Sequence, residues 1–248
     1  MSAQNIEGIA PDWPAPPLVR AFSTLRSGGV SKTPFHSLNL ADHVGDEREA
    51  VAENRARLAR YLSLPTSPVW LRQEHSSCVV AATRITATTV ADASLTTETG
   101  VVCAVLTADC LPVLLCDEHG SQVAAVHGGW RGLASGILQN TVNAMHAAPA
   151  DLMAWMGPAI GPQAFEVGPE VRARFVQQDT RHQVAFRPAA GDRWMVDIYA
   201  LARQILMSTG ICRIYGGHWC TRSAPDHFFS HRRDRITGRM ATVIWRNA

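Results

Sequence analysis

The sequence predicts a single α+β domain, on three observations. Short, nearly continuous apolar runs, typical of buried strands, occur along the chain. Between them lie longer stretches in which apolar residues recur every three or four positions, as on amphipathic helices. No internal repeat, low-complexity tract or linker divides the 248 residues. A chain of this length can bury one large core, so we expect one domain over residues 1–248.

The first half of the chain is predicted to contain a lead-in, several strands and one helix. The lead-in covers residues 1–17, whose prolines favour extended backbone. The spacing of Asp46 and Glu49 resembles a capping box and predicts a helix that continues to about residue 61. The apolar runs predict strands at residues 18–23, 78–85, 101–106, 111–116 and 122–126.

The second half begins with a tight turn at Gly128-Gly129. Apolar residues then keep helical spacing from Leu133 to Met145, which predicts one continuous helix. A short helix starts at Pro169, where the missing N–H does no harm. Another helix is predicted at residues 197–209, before Gly210. Strands are predicted at residues 152–156, 211–215 and 242–245.

Composition and charge exclude several classes of protein. A net charge of +2 and a pI of about 8.3 give no basic surface of the kind that binds nucleic acid. No apolar stretch is long enough to span a membrane, and residues 1–17 do not resemble a signal peptide. Six cysteines without an export signal favour reduced thiols in the cytoplasm.

Three short runs place a potential metal ligand at the edge of a strand-like segment. They are residues 73–76, 107–110 and 126–132, and they contain His75, Cys110 and His127. Two imidazoles and one thiolate form a plausible zinc set that leaves a fourth coordination position open, as in catalytic zinc sites. The separations are long and no CxxC or HExxH motif is present, so this hypothesis depends on whether the three side chains converge.

The same residues allow a second chemistry. Cys110 as nucleophile and His127 as its base would make a cysteine hydrolase or transferase. Both interpretations need an ionised Cys110, so both stay open. His75 favours the metal, because a dyad needs one histidine and a zinc site uses both. Each residue could also be an ordinary core or surface side chain.

Three further residues are candidates for the site. Asp109, next to Cys110, is a candidate catalytic base or a carboxylate that orients a ligand, although a strand-end turn would also use an aspartate. Arg26, beside Gly28-Gly29, is a candidate for binding an anion such as phosphate, although an exposed loop arginine without a specific role is an equal alternative. Arg131 either contributes to the site or pairs structurally at the start of its helix.

Taken together, these motifs resemble a widespread bacterial family. It has been called the laccase-domain or multicopper polyphenol oxidase family, peptidoglycan editing factor, and zinc-dependent purine nucleoside phosphorylase. The resemblance covers almost the whole chain, and the order of its segments makes it specific. The matching segments are residues 26–31, 37–40, 43–46, 54–55, 69–71 with 73 and 75, 107–115, 125–132, 157–167 and 228–240.

The resemblance implies a layered α/β/β/α fold with mixed sheets and a zinc ion held by His75, Cys110 and His127. Members of the family are described as splitting adenosine, inosine, guanosine and methylthioadenosine with phosphate into the base and a pentose 1-phosphate. They also deaminate adenosine to inosine. Purine nucleosides and phosphate are therefore the expected partners, and Arg26, His43 and Arg131 are the candidate substrate-binding residues.

Two other functions carried by the family names are weighed against this one. An enzyme that edits peptidoglycan precursors by hydrolysis could use the same zinc site. A copper-dependent phenol oxidase is less compatible, because multicopper oxidases need many histidines and a cysteine flanked by ligand histidines. The sequence contains no such cluster.

Overall fold

Two β-sheets lie face to face at the centre of the computed structural model, which describes residues 6–85 and 89–247. A third, smaller sheet lies apart from them. The strands are, in chain order, β1 (Gly8–Ile9), β2 (Val19–Thr24), β3 (Val79–Ala81), β4 (Ala93–Thr96), β5 (Cys103–Thr107), β6 (Leu111–Asp117), β7 (Val123–Gly128), β8 (Leu152–Met156), β9 (Glu166–Val167), β10 (Phe186–Pro188), β11 (Trp194–Val196), β12 (Arg213–Gly216) and β13 (Met240–Arg246).

The central sheets have four and six strands. The four-stranded sheet has the order β1-β2-β13-β5, so that β13 lies between β2 and β5. The six-stranded sheet has the order β12-β8-β6-β7-β4-β3 and mixes parallel with antiparallel pairs. The small sheet has the order β10-β11-β9.

Helices cover the outer faces of the two central sheets. The α-helices of the described residues are α1 (Arg48–Leu62), α2 (Trp130–Ala134), α3 (Ile137–Ala144), α4 (Pro169–Val176), α5 (Ile198–Ser208) and α6 (His231–Asp234). Short 3₁₀ turns lie at Ala82–Arg84, Pro149–Asp151 and Thr180–Ala185.

Alternating side chains of β5 separate two apolar layers. Ala104 and Leu106 pack with Leu58 of α1, whereas Cys103 and Val105 face the six-stranded sheet. This alternation is the expected result of successive strand residues pointing to opposite faces.

Strand β6 repeats the pattern on the other side. Leu114 and Cys116 face the four-stranded sheet, and Val113 and Leu115 pack against the layer that contains α3 and α5. The structure is therefore a single α+β domain with α/β/β/α layers, as predicted.

Most predicted strands are found within about two residues of their expected ends, but three local predictions were wrong. The segment from Leu133 to Met145 is two helices, α2 and α3, because Gly136 interrupts it with a φ of +90°. Residues 78–85 form only the short strand β3 before a 3₁₀ turn. In addition, the sequence did not predict strand β4, which follows Asp92.

The third wrong prediction is the capping box at the start of α1. Glu47 occupies the N-cap position, and no side chain caps the helix there. Asp46 instead accepts hydrogen bonds from Ser31 Oγ at 2.6 Å and from Asn39 Nδ2 at 2.9 Å. It also accepts from the Glu47 backbone N–H at 2.9 Å, so it fixes the loop that leads to the helix and does not cap the first turn.

Two broader expectations can be compared with the described residues. All six cysteines are free, as predicted. No described helix has the length and apolarity needed to cross a bilayer. The lead-in over residues 1–17 stays a prediction: its first five residues lie outside the described part, and Gly8–Ile9 pairs with β2.

The seam between the central sheets is expected to carry much of the stability. We predict that Leu114→Ala lowers the free energy of unfolding by about 2–5 kcal/mol, because Leu114 is fully buried between the sheets and truncation leaves a cavity. Denaturant titration would measure the change. Met207→Ala, at a side chain that is 57% exposed on α5, is the control and should change it by less than about 0.5 kcal/mol. Equal effects of the two substitutions would contradict the layered core.

Candidate metal centre and adjoining cleft

Neighbouring antiparallel strands bring Cys110 and His127 to one end of the six-stranded sheet. Cys110 directly precedes β6, and His127 lies near the end of β7. The register pairs Pro112 with His127 and Leu111 with Gly128, so the chain enters β6 beside the end of β7. Both faces of the two strands are buried, and a slip by one residue would exchange the side chains that pack against the helices with those that pack against the other sheet.

The third side chain, His75, is held by a loop rather than a strand. Gln73 anchors this loop to β5, since its side-chain amide donates to the carbonyl of Leu106 at 2.9 Å and accepts from the N–H of Leu106 at 2.8 Å. His75 itself has a φ of +59°, which is uncommon for a residue other than glycine. The loop thus presents the imidazole in one fixed direction.

The three side chains converge. The potential ligand atoms of His75, Cys110 and His127 all lie within 4.8 Å of one another, and the Cys110 Sγ is 3.6 Å from the His75 Nε2. In the described part of the chain, this is the only group of three such residues that could hold a metal ion. His127 is buried, Cys110 is half-buried and His75 is exposed, so the group is open on the His75 side.

Asp92, which the sequence analysis missed, orients both histidines. Its Oδ1 lies 2.7 Å from the His127 Nδ1 and accepts from the His75 backbone N–H at 3.0 Å. Its Oδ2 accepts from the backbone N–H and hydroxyl of Ser76, each at 2.6 Å. Although burial opposes ionisation, the hydrogen bonds from His127 and Ser76 lower the pKa of Asp92 to about 2. The bond to Nδ1 leaves the Nε2 of His127 available as a ligand atom.

The electrostatics of the group favour a thiolate. Burial raises the pKa of the Cys110 thiol, but the neighbouring His127 and His75 outweigh this effect and lower the pKa. Burial lowers the pKa of His127, and the charges and hydrogen bonds of Cys110 and Asp92 reverse the shift, so that the pKa is raised. An ionised cysteine is the form that ligates a metal and also the form that acts as a nucleophile.

Gly129 allows the close packing of this group. A Cβ at this position would lie 2.5 Å from the His75 Cδ2 and 3.2 Å from the Cys110 Sγ. Its φ of −66° is open to any residue, so glycine is required here by space and not by backbone conformation. The turn predicted at Gly128-Gly129 therefore also makes room for two of the candidate ligands.

A cleft of about 380 Å³ opens beside His75 and Cys110. Its walls combine aromatic, cationic and acidic side chains with a few aliphatic ones. Those used below are Asp109, Trp130, Arg131, Phe165, Arg193 and Arg232. A cleft of this size is within the range of small-molecule sites.

Asp109 lines the cleft, but its carboxylate oxygens accept hydrogen bonds from other residues of the protein. Its φ of +84° places the carboxylate next to the segment at residues 221–232. The Oδ1 accepts from Thr221 Oγ1 at 2.6 Å, and the Oδ2 accepts from Ser230 Oγ at 3.0 Å and from the Arg232 N–H at 2.6 Å.

The three predicted substrate-binding residues fall in different places. Arg131 lines the cleft, and its guanidinium lies 4.5 Å from the centre of the Trp130 ring. Arg26 does not line it and donates to the carbonyls of His36 and Pro225. His43 lines a second cleft, of about 410 Å³, whose lining includes Gln73 and Glu74 but none of the three potential ligands.

The whole chain resembles proteins of one family. A family model described as "Multi-copper polyphenol oxidoreductase laccase" matches residues 20–247. The chain belongs to this family. Its relatives include proteins named purine nucleoside phosphorylase. The Escherichia coli strain K12 protein, YfiH, is 50% identical and covers 96% of this chain and 98% of its own. The Haemophilus influenzae protein is 46% identical and covers 97% of this chain and 99% of its own.

Family members of known structure share the fold. A Neisseria meningitidis protein is 48% identical, covers 97% of this chain and 99% of its own, and has a TM-score of 0.94. YlmD from Geobacillus stearothermophilus is 34% identical over 94% of each chain, with a TM-score of 0.87. The family description names copper, and the described residues contain one group that could hold a metal ion, His75, Cys110 and His127.

Asp92 could have been found in the sequence by one signal. It is the only acidic residue between positions 83 and 97, in a stretch rich in Ala, Thr and Ser, and it precedes β4. Arg232 was missed for the opposite reason, since it is one of several arginines in its segment and nothing local distinguishes it.

The role of Asp92 leads to a prediction about metal affinity. We expect Asp92→Asn to weaken the binding of an added divalent metal ion about 10- to 100-fold, because an amide cannot accept all the hydrogen bonds that orient His127 and the His75 loop. Competition with a chromogenic chelator would measure it. Asp117→Asn is the matched control, since Asp117 is also buried and hydrogen-bonded, to Ser121 and Gln122, but lies away from the site. An unchanged metal affinity in Asp92→Asn would show that Asp92 does not orient the ligands.

Proposed function

We propose that the protein is a zinc-dependent purine nucleoside phosphorylase. Its substrates would be adenosine, inosine, guanosine or methylthioadenosine together with phosphate, and its products the free base and a pentose 1-phosphate. One observation carries the proposal: a His-Cys-His group converges at a cleft lined by arginine and aromatic side chains. The names of relatives about half identical to the chain support it.

The donor set suits zinc. One thiolate and two imidazoles are ligands that zinc accepts, and three protein ligands leave a position open for catalysis. The carboxylate of Asp92 behind His127 is the usual support of a zinc-bound histidine. When bound, zinc supplies a Lewis acid at the edge of the cleft.

The reaction is a displacement at the anomeric carbon of the pentose. An oxygen of hydrogen phosphate forms a bond to C1′ while the bond from C1′ to the purine nitrogen breaks. The electron pair of that bond leaves with the base, and the proton of hydrogen phosphate ends on the base. Enzymes accelerate such a step mainly by holding the two reactants together in a dry, oriented site.

The walls of the cleft provide this orientation. Trp130 and Phe165 offer flat apolar surfaces that suit a purine ring. Phe165 is itself buried, so its position is fixed by packing. Arg131 and Arg232 supply positive charge on the same walls, where phosphate has to approach the pentose.

A second reaction belongs to the same proposal. Adenosine deaminase activity would convert adenosine and water to inosine and ammonia at the same centre. It needs no phosphate, so the two reactions can be separated by omitting phosphate from the assay.

A cysteine hydrolase is the second candidate, and one observation favours it. Asp92, His127 and Cys110 stand in the order of a catalytic triad, with Asp92 bonded to the Nδ1 of His127. His75, 3.6 Å from the Cys110 Sγ, has no role in such a triad but completes a metal site. The two candidates differ in metal dependence, since a nucleophilic cysteine works without zinc.

The deciding experiment measures metal and products on the same preparation. Protein purified without added metal is analysed for bound elements and then incubated with adenosine, with and without phosphate. We expect about one zinc per chain, adenine only when phosphate is present, and inosine in both tubes.

A substitution of Cys110 tests the link between metal and turnover. Cys110→Ala should lose bound zinc and lower phosphorolysis by more than about 100-fold, since losing a ligand costs more than losing a residue that orients one. Cys212→Ala, at an exposed free cysteine, is the control and should retain both. Full activity of a metal-free Cys110→Ala protein would refute the proposal.

Other outcomes would point to the alternatives. Hydrolase activity that survives chelation would favour the cysteine nucleophile. Zinc without adenine or inosine would favour hydrolytic editing of peptidoglycan precursors. Bound copper in place of zinc would favour the phenol oxidase activity that the family description names.

A further inference from the structure

We propose that Arg232, together with Arg131, forms the subsite that binds inorganic phosphate, and that Asp109 is the positioning residue that holds Arg232 in place. This inference rests on the proposed phosphorylase function. It replaces Arg26 as the phosphate ligand and gives Asp109 a role other than proton transfer.

The cleft is lined by three arginines and three carboxylates, and one of the carboxylates, Asp109, already accepts three hydrogen bonds from the protein. Arg131, Arg193 and Arg232 line it, and none of them forms an ion pair with a carboxylate in the described part of the chain. Glu166 and Glu170 also line the cleft but pair with none of these arginines. Because a purine nucleoside is uncharged, phosphate is the substrate that matches unpaired guanidinium groups.

Arg232 is held ready for such a ligand. Its side chain is half-buried, and its Nη1 donates to the carbonyl of Glu166 at 2.8 Å. The guanidinium carbon lies 5.4 Å from the centre of the Phe165 ring. The remaining guanidinium N–H groups have no protein acceptor among the residues described. A guanidinium that is held on one side and has free N–H groups on the other can donate to two phosphate oxygens. Because the side chain is already held, binding phosphate would cost little side-chain entropy.

The neighbouring Arg233 shows the contrast. Its guanidinium forms two bonds to the Asp234 carboxylate, at 2.8 and 2.7 Å, and also donates to the carbonyls of Thr221, Arg222 and Phe228. Arg233 is therefore saturated by the protein. The Arg233 side chain therefore holds the local structure together, whereas the Arg232 side chain lines the cleft with free N–H groups.

Asp109 connects Arg232 to the metal group. Its two carboxylate oxygens accept three hydrogen bonds, from Thr221, Ser230 and the backbone N–H of Arg232. Asp109 is also the residue before Cys110. Asp109 thus fixes the backbone of Arg232 relative to Cys110, and the Glu166 carbonyl then holds the guanidinium.

The primary test is the kinetics of Arg232 variants at saturating and varied phosphate. Arg232→Gln should raise the KM for phosphate roughly 10- to 100-fold, the loss expected for hydrogen bonds to a charged group. The KM for nucleoside and the zinc content should stay within about twofold of the wild-type values. Arg232→Lys, which keeps the charge but loses the planar fork, should fall between wild type and Arg232→Gln. Arg20→Gln, an equal change of charge at an exposed arginine of β2, is the control.

The role of Asp109 is tested through its partner. Thr221→Val removes one donor and should raise the KM for phosphate, with little change in the KM for nucleoside, and Thr221→Ser should restore it. A substitution that merely loosened the fold would alter both KM values and would not be rescued by serine. Equal changes in both KM values would overturn the positioning role.

A binding measurement separates this inference from the proposed function. Thermal unfolding of the wild-type protein is followed as sodium phosphate replaces sodium chloride at constant ionic strength, because a ligand of the native state raises the melting temperature. Loss of this stabilisation in Arg232→Gln supports the subsite even if the wild type turns over no nucleoside, in which case the proposed function alone fails. Equal stabilisation of both proteins, or an unchanged phosphate KM in an active Arg232→Gln enzyme, overturns the subsite.

Discussion

The carboxylate of Asp92 is the interaction on which the candidate centre depends. It is fully buried, yet it stays ionised because it accepts hydrogen bonds from His127, from the His75 backbone and from Ser76. A buried charge of this kind is costly unless every lone pair is used. Through it the loop that carries His75 is bound to the strand that carries His127, although 52 residues separate them in sequence. Without this carboxylate, the loop that carries His75 would lose its direct hydrogen-bonded link to His127.

The layered fold supplies the second constraint. β5 belongs to the four-stranded sheet and β6 to the six-stranded one, so the chain crosses from one sheet to the other within residues 108–110. Asp109 makes this crossing with a backbone conformation that few residues adopt, and its side chain binds the segment at residues 221–232. Cys110 is therefore fixed by two sheets and by a distant part of the chain. A site placed at such a seam gains rigid walls, which preorganised chemistry requires.

Much of this arrangement could be predicted from the sequence because it depends on local patterns. The apolar runs predicted the central strands, and the placement of His75, Cys110 and His127 at their ends predicted where those side chains would meet. Asp92 and Arg232 could not be predicted in the same way. The role of Asp92 exists only once β4 pairs with β7, and β4 was hidden in a stretch of small polar residues. Arg26, Arg232 and Arg233 look alike in sequence, and only the cleft and the hydrogen bonds tell them apart.

The order of the four-stranded sheet has a consequence for biosynthesis. β13 is not an edge strand but pairs with β2 on one side and with β5 on the other. An incomplete chain on the ribosome therefore carries β2 and β5 without the strand that joins them, and the turn that leads to Cys110 follows a strand that lacks its main ladder partner. The sheet is complete only after β13 has been made. Premature termination near residue 240 would thus remove a central strand of the sheet and not an edge strand. A nonsense mutation at that position should therefore be as damaging as one much earlier in the chain.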